Sequence, residues 1–168
     1  MQLKEIDKTR YRKHLRVAFA GISAALLIIA PSISTLFIQL FSNNEASYFY
    51  HNLAGVAVAA AIVAFTLNKL RQHPYMLEVV YVWDLKQQLN RIQRKLRKIE
   101  AAVESNDNEA MIIMNFMHRG SKQLHELDDN TITMGDLLRK IQKLDERMKF
   151  AGLSLSTELF DPEMLKRF

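Results

Sequence analysis

A chain of 168 residues with 23 Lys and Arg, 18 Asp and Glu and no cysteine excludes a disulfide framework and every thiolate metal or nucleophile chemistry. Its net charge of +5 is unevenly placed: six basic and two acidic groups fall in residues 1–16, no Lys or Arg in 17–68, eight basic against four acidic in 69–104, and nine against eleven in 105–168. The basic excess therefore borders an apolar region on both sides, which is a membrane-flank pattern and makes nucleic acid an unexpected partner.

Residues 1–16 read as a basic cytoplasmic start, with Lys4, Lys8, Arg10, Arg12, Lys13 and Arg16. A secretory signal has a similar start, but its apolar core runs only about 7–15 residues. Here two long apolar stretches follow, so the expectation is a transmembrane hairpin over 17–68, with spans at about 17–41 and 48–67. Pro31 falls inside the first span, where Ser32, Ser34 and Thr35 are at hand to serve the backbone groups that proline frees. A structural bend is the plainer reading of Pro31, and a gating hinge the sharper one. The connection SNNEASYFYHN offers Asn43-Asn44 for a turn, a single charge at Glu45, and Tyr48, Phe49 and Tyr50 for the headgroup depth. His51 reads as interfacial, since no partner ligand shares its face.

Small residues mark close helix contacts in lipid, where burial from water no longer drives packing. Gly21 with Ala25, and Gly55 with Ala59, form such pairs and are expected where the spans meet each other or a second copy. Six basic residues precede the first span, none lies in the connection, and Lys69 and Arg71 follow the second, which puts both termini in the cytoplasm. Neither span carries an ionisable residue, which leaves proton relays and ion pathways unsupported.

Pro74 ends or bends the helix that leaves the second span. The segment YMLEVVYVW, residues 75–83, is apolar on every side except Glu78 and must be covered. Two places satisfy it, the headgroup region and the interior of a bundle. Val82, Leu85, Leu89, Ile92, Leu96, Ile99 and Val103 then alternate steps of three and four, a helix-packing seam of coiled-coil type. Between them lie Arg91, Arg94, Lys95 and Lys98, read either as a solvated face or as a basic face for anionic lipid.

SNDNE at 105–109 breaks the pattern, with Asp107 as the cap of a second helix over about 108–127. Its first half is apolar on more than one face, so it is sandwiched. One face meets the seam, and the other, with Met111, Ile112, Met114 and Phe116, is a candidate partner face. A third helix is expected over about 134–150, with Thr133 and Asp136 as an imperfect capping box and Gly152 at its end. Asp161-Pro162 opens a short last helix to Arg167.

Chemical signatures are missing. A calcium loop starting at Asp128 would need Gly and an acid where Thr133 and Arg139 stand. His118 and His125 are seven apart rather than four, and the glycines form no phosphate loop. No catalytic, cofactor-binding or metal residue is assigned, and no enzyme activity or small-molecule substrate is expected.

At Lys4 to Leu15 (KEIDKTRYRKHL) and at Asn108 to Thr131 (NEAMIIMNFMHRGSKQLHELDDNT) the chain resembles a family of small uncharacterised bacterial membrane proteins, catalogued as a domain of unknown function. The resemblance covers nearly the whole length. It implies two spans in a bacterial inner membrane and supplies no activity, substrate or residue role.

The expectation is an all-α, multi-pass protein: a transmembrane hairpin followed by a cytoplasmic helical bundle over 75–168, whose first helix is coiled-coil-like. Its expected role is that of a membrane-anchored interaction or scaffold module that packs with itself or a protein partner as well as with membrane lipids. Two other readings stand beside it: a peripheral lipid-surface module, and an accessory subunit of a channel or transporter.

Overall fold

The computed structural model describes residues 2–41 and 48–168. Among them all regular structure is helical: α1 (Lys8–Phe41), α2 (Phe49–Leu70), α3 (Leu77–Gln93), α4 (Leu96–Glu104), α5 (Asn108–Asp128) and α6 (Met134–Phe150), with 3-10 turns at Pro74–Met76, Thr157–Leu159 and Pro162–Arg167. The expected Asn43-Asn44 turn and Glu45 lie outside the described residues. The chain divides into two compact units, Thr9–Val80 and Met1–Lys8 with Tyr81–Phe168.

In the first unit α1 and α2 pack as a hairpin. α1 is basic as far as Arg16 and free of charged residues from Val17 on, α2 is free of them as far as Asn68, and α1 continues through Pro31. The Ser32 hydroxyl donates to the Ile28 carbonyl at 2.7 Å and Thr35 to the Pro31 carbonyl at 2.9 Å, so the polar side chains beside the proline are turned back onto the helix. Ser34 instead points across the hairpin, 3.4 Å from the Asn52 carbonyl.

The second unit is built around α5, whose two apolar faces are both covered. Asp107 Oδ1 accepts from the Ala110 amide at 2.9 Å and starts the helix, and Asp129, at φ 56°, ends it. The end of α4 uses Asn106 at φ 58°, with the Asp107 amide donating to the Ala102 carbonyl. The end of α6 uses Gly152 at φ 70° in the same way, with the Leu153 amide donating to the Met148 carbonyl. The expected Thr133–Asp136 capping box does not form: the Thr133 side chain caps nothing, and Asp136 pairs with Arg139.

The seam differs from the sequence expectation in one respect. The single coiled-coil-like helix over Val82–Val103 is two helices, α3 and α4, broken at Arg94 and Lys95. No proline or glycine stands there, so propensity does not cause the break. Lys95 Nζ donates to the Leu165 carbonyl and Lys98 Nζ to the Phe168 carbonyl, so the break coincides with the docking of the tail. The N-terminal residues join the same unit: the Lys4 amide donates to the Tyr81 hydroxyl at 2.8 Å, Leu3 packs on the core, and Lys8 pairs with Asp129.

Candidate membrane-facing site

The two hairpin helices turn their large side chains outward. Leu27 is 76% exposed and Phe65 65%, and Phe19, Ile28, Leu40, Phe41 and Val56 are exposed with them. Only 6% and 11% of the most apolar windows of α1 and α2 are buried. At about 1.5 Å per residue, the 22 residues of α2 rise roughly 33 Å, against a hydrocarbon thickness of about 30 Å. Both helices are therefore long and apolar enough to cross a bilayer.

The helices touch at one place and part at another. A Cβ on Gly55 would lie 2.2 Å from Ser34 Oγ and 2.8 Å from the Ser34 backbone nitrogen, while Gly55, Ala59 and Ser34 are buried together. The Gly55–Ala59 pair is thus the contact face. A Cβ on Gly21 would meet nothing within 4 Å, and Gly21 and Ala25 instead line a groove of about 510 Å³ between α1 and α2. Its walls include Ile22, Ile29, Ile62 and Leu67, and its mouth carries His73 and Tyr75.

Beside that mouth sits a buried polar cluster. His14 is buried, and its Nδ1 lies 3.3 Å from Glu78 Oε2, while Arg10 Nε lies 3.2 Å from Glu78 Oε1. The Tyr75 ring stacks on His14 with centroids 3.8 Å apart, and His73 Nδ1 accepts from the Tyr75 amide. Glu78 and Glu45 are the only carboxylates between residues 9 and 80, so the hairpin unit is strongly basic. The segment 75–83 divides accordingly: Tyr75 and Glu78 belong to this cluster, Tyr81 packs on the core of the helical unit, Val82 is buried, and Leu77 and Trp83 are exposed.

Within the helical unit, Val82, Leu85, Leu89, Ile92, Ile99 and Val103 are buried and Leu96 is half-buried, so the seam is consumed by packing inside the chain. The candidate partner face is likewise covered by the chain itself. Met111, Met114 and Phe116 are buried and Ile112 is half-buried; the Phe160 ring stacks on Phe116 at 4.2 Å, and the Leu155 carbonyl accepts from Asn115 Nδ2 at 3.0 Å. Met111, Met114 and Phe116 present no free surface, because α6 and the tail supply the cover that a partner was expected to bring. Of the basic face, Arg91 and Arg94 are exposed, while Lys95 and Lys98 hold tail carbonyls.

A second concavity, of about 380 Å³, opens between α4, α5 and α6, with Glu100 and Glu104 facing Lys140 and Arg147 above His118. Burial, with help from Lys140 and against a smaller pull from Asp145, lowers the His118 pKa to about 4, so its ring is neutral at ordinary pH. No group of three His, Asp or Glu among the described residues is arranged to hold a metal ion.

Sequence reasoning missed the groove and the His14–Glu78 pair. Glu78 carried the one available signal: a lone carboxylate in an otherwise apolar nine-residue run requires a buried partner. A protein-family model described as "Protein of unknown function (DUF3087)" matches residues 1–165. No curated protein matches, and no solved structure matches.

Proposed function

The chain belongs to the DUF3087 family, which brings no activity with it, and from its own residues we propose that it is a bilayer-anchored helical module acting by binding rather than catalysis. In this reading α1 and α2 span a bacterial inner membrane, both termini are cytoplasmic, and the helical unit works at the cytoplasmic surface. One observation carries it: the outward apolar side chains of α1 and α2 form continuous surfaces with no polar face, such as water-soluble monomers seldom expose. The Lys and Arg asymmetry supports the orientation, since all six basic residues between 9 and 80 flank the spans on the same side.

The seam and the Met111–Phe116 face are buried, so binding falls to what is left exposed. Arg91 and Arg94 favour contact with anionic headgroups, each worth about 1 kcal/mol near such a surface. Trp83 and Phe150, exposed at 61% and 98%, favour a protein contact, with a second copy or a different chain.

The absence of native cysteine makes the test clean. A single cysteine introduced as Arg139→Cys should react with a membrane-impermeant maleimide only after the inner membrane is opened, and the protein should stay in the pellet after alkaline carbonate washing. Labelling in sealed spheroplasts would reverse the orientation, and release by carbonate would remove the anchor.

A further inference from the structure

We propose that the groove between α1 and α2 is a binding site for one anionic phospholipid of the cytoplasmic leaflet, its acyl chain along Gly21 and Ala25 and its phosphate at the basic rim. The inference rests on the bilayer placement proposed above and adds a specific ligand to it.

Four observations argue for this occupant. The α1 wall runs from Val17 to Ile29, a rise of about 18 Å, close to the roughly 15 Å of one leaflet's hydrocarbon. A volume of about 510 Å³ spread over that length leaves a slot narrower than the roughly 10–12 Å of a helix with its side chains, which disfavours a helix from a second copy. The walls are apolar: Thr66, the one hydroxyl below the mouth, already donates to the Ile62 carbonyl at 2.9 Å. The charge is complementary at one end only. Arg16 and Lys13 stand one and four residues before the groove's first residue, Val17, Lys69 and Arg71 flank its last α2 residue, Leu70, and His73 and Tyr75 line the mouth; Arg16 Nε lies 3.3 Å from the Arg12 carbonyl and the Lys69 ammonium over the Phe65 ring, so both would turn to meet a phosphate. The one described carboxylate of the hairpin unit, Glu78, is paired with Arg10 and His14.

The gap itself has a cause in the sequence. Gly55 allows α2 to meet Ser34 of α1 closely, whereas around Gly21 and Ala25 no large side chain enters from α2 and the space remains open. Small residues here keep a slot clear instead of closing a helix contact.

The test is native mass spectrometry of the full chain, purified in mild detergent and offered phosphatidylglycerol or phosphatidylcholine at equal concentration. The expected result is one retained phosphatidylglycerol per chain, at least tenfold preferred over phosphatidylcholine. Gly21→Leu or Ala25→Leu, which fill the slot, should each lower retention at least tenfold, and the pair Arg16→Gln with Lys69→Gln should lower it several-fold. Ala57→Leu adds the same bulk as Ala25→Leu at an exposed position outside the groove and should change nothing, and helicity by circular dichroism checks that all variants fold. Equal retention of both lipids, retention unaffected by Gly21→Leu, or a dimer that Gly21→Leu dissociates would each overturn the proposal. Carbonate extraction on the same samples separates the two readings: a chain that stays in the membrane but holds no lipid sinks only this site, whereas a chain that leaves it sinks the anchor as well.

Discussion

Arg119 on α5 and Asp145 on α6 are joined by two hydrogen bonds from one guanidinium nitrogen, Nη2, at 2.8 and 3.0 Å. The same guanidinium donates through Nε to Asn115 Oδ1 at 2.7 Å, and Asn115 Nδ2 donates to the Leu155 carbonyl. One polar chain therefore ties α6, α5 and the tail together across an otherwise apolar core. Breaking such a chain costs more than it contributes when whole, because the surviving groups stay partly buried without partners. Arg119→Ala is expected to lower the unfolding free energy by about 2–3 kcal/mol, and Asp145→Ala by a comparable amount. The double variant should fall short of the sum by about 1 kcal/mol or more, as contacting pairs do. Urea unfolding of the detergent-solubilised chain, followed by circular dichroism, measures all three. Strict additivity would show that the two residues act separately.

The two glycines of the hairpin are expected to respond in opposite directions to the same substitution. Gly55→Ala drives a methyl to 2.8 Å from backbone at Ser34, so the helices must separate, at a cost of about 1–3 kcal/mol. Gly21→Ala meets nothing within 4 Å and removes the flexibility penalty of glycine inside a helix, a gain of roughly 0.5–1 kcal/mol. Thermal unfolding in one detergent should rank Gly21→Ala at or above the parent and Gly55→Ala several degrees below it. The reverse order would mean that the helices meet at the other pair.

Much of the fold was legible because it rests on local rules. Asp107 could be named as a cap, Gly152 as a helix end and 134–150 as a helix, since side chain, φ and apolar spacing all act within a few residues. The break at Arg94 and Lys95 was not legible: those residues favour helix, and the interruption coincides with a tail some 70 residues away. The same distance hid the cover over Met111 and Phe116. A face that is apolar in the sequence says that something must bury it, without saying whether that something is a partner or the chain's own residues 153–168. The groove was hidden for a related reason, because Gly21 and Gly55 have the same spacing pattern and only the packing of α2 separates a contact from a slot.

The tail makes a third expectation. Phe160 is buried, stacked on Phe116 with a 20° angle between the rings, and Arg167 pairs with Asp107 and Glu109 at the start of α5. Phe160→Ala should destabilise the helical unit by about 3–5 kcal/mol, the usual cost of deleting a core phenylalanine. Arg167→Ala removes ion pairs made by an exposed guanidinium, which water screens, and should cost far less than Phe160→Ala. Loss of Phe160 also uncovers the Met111–Phe116 face, so the variant is expected to self-associate more strongly than the parent. Light scattering at rising protein concentration checks this, and a monodisperse Phe160→Ala sample would show that the face stays covered.

His118 sets the last expectation, a pH dependence whose sign follows from its environment. Burial and Lys140 hold the folded-state pKa at about 4, below the 6.5 of an unfolded histidine. Between those values the unfolded chain binds a proton that the folded chain does not, so stability falls as pH drops from about 6.5 to about 4 and levels off below that. The full loss amounts to about 3 kcal/mol, from 1.36 kcal/mol per pKa unit. His118→Gln removes the titrating group while keeping a polar side chain of similar size. Its stability should therefore be flatter across that window, with the difference from the parent vanishing above pH 7. Urea midpoints collected in half-unit steps between pH 4 and 8 decide it. Parallel curves for parent and variant would show that His118 does not carry the acid sensitivity.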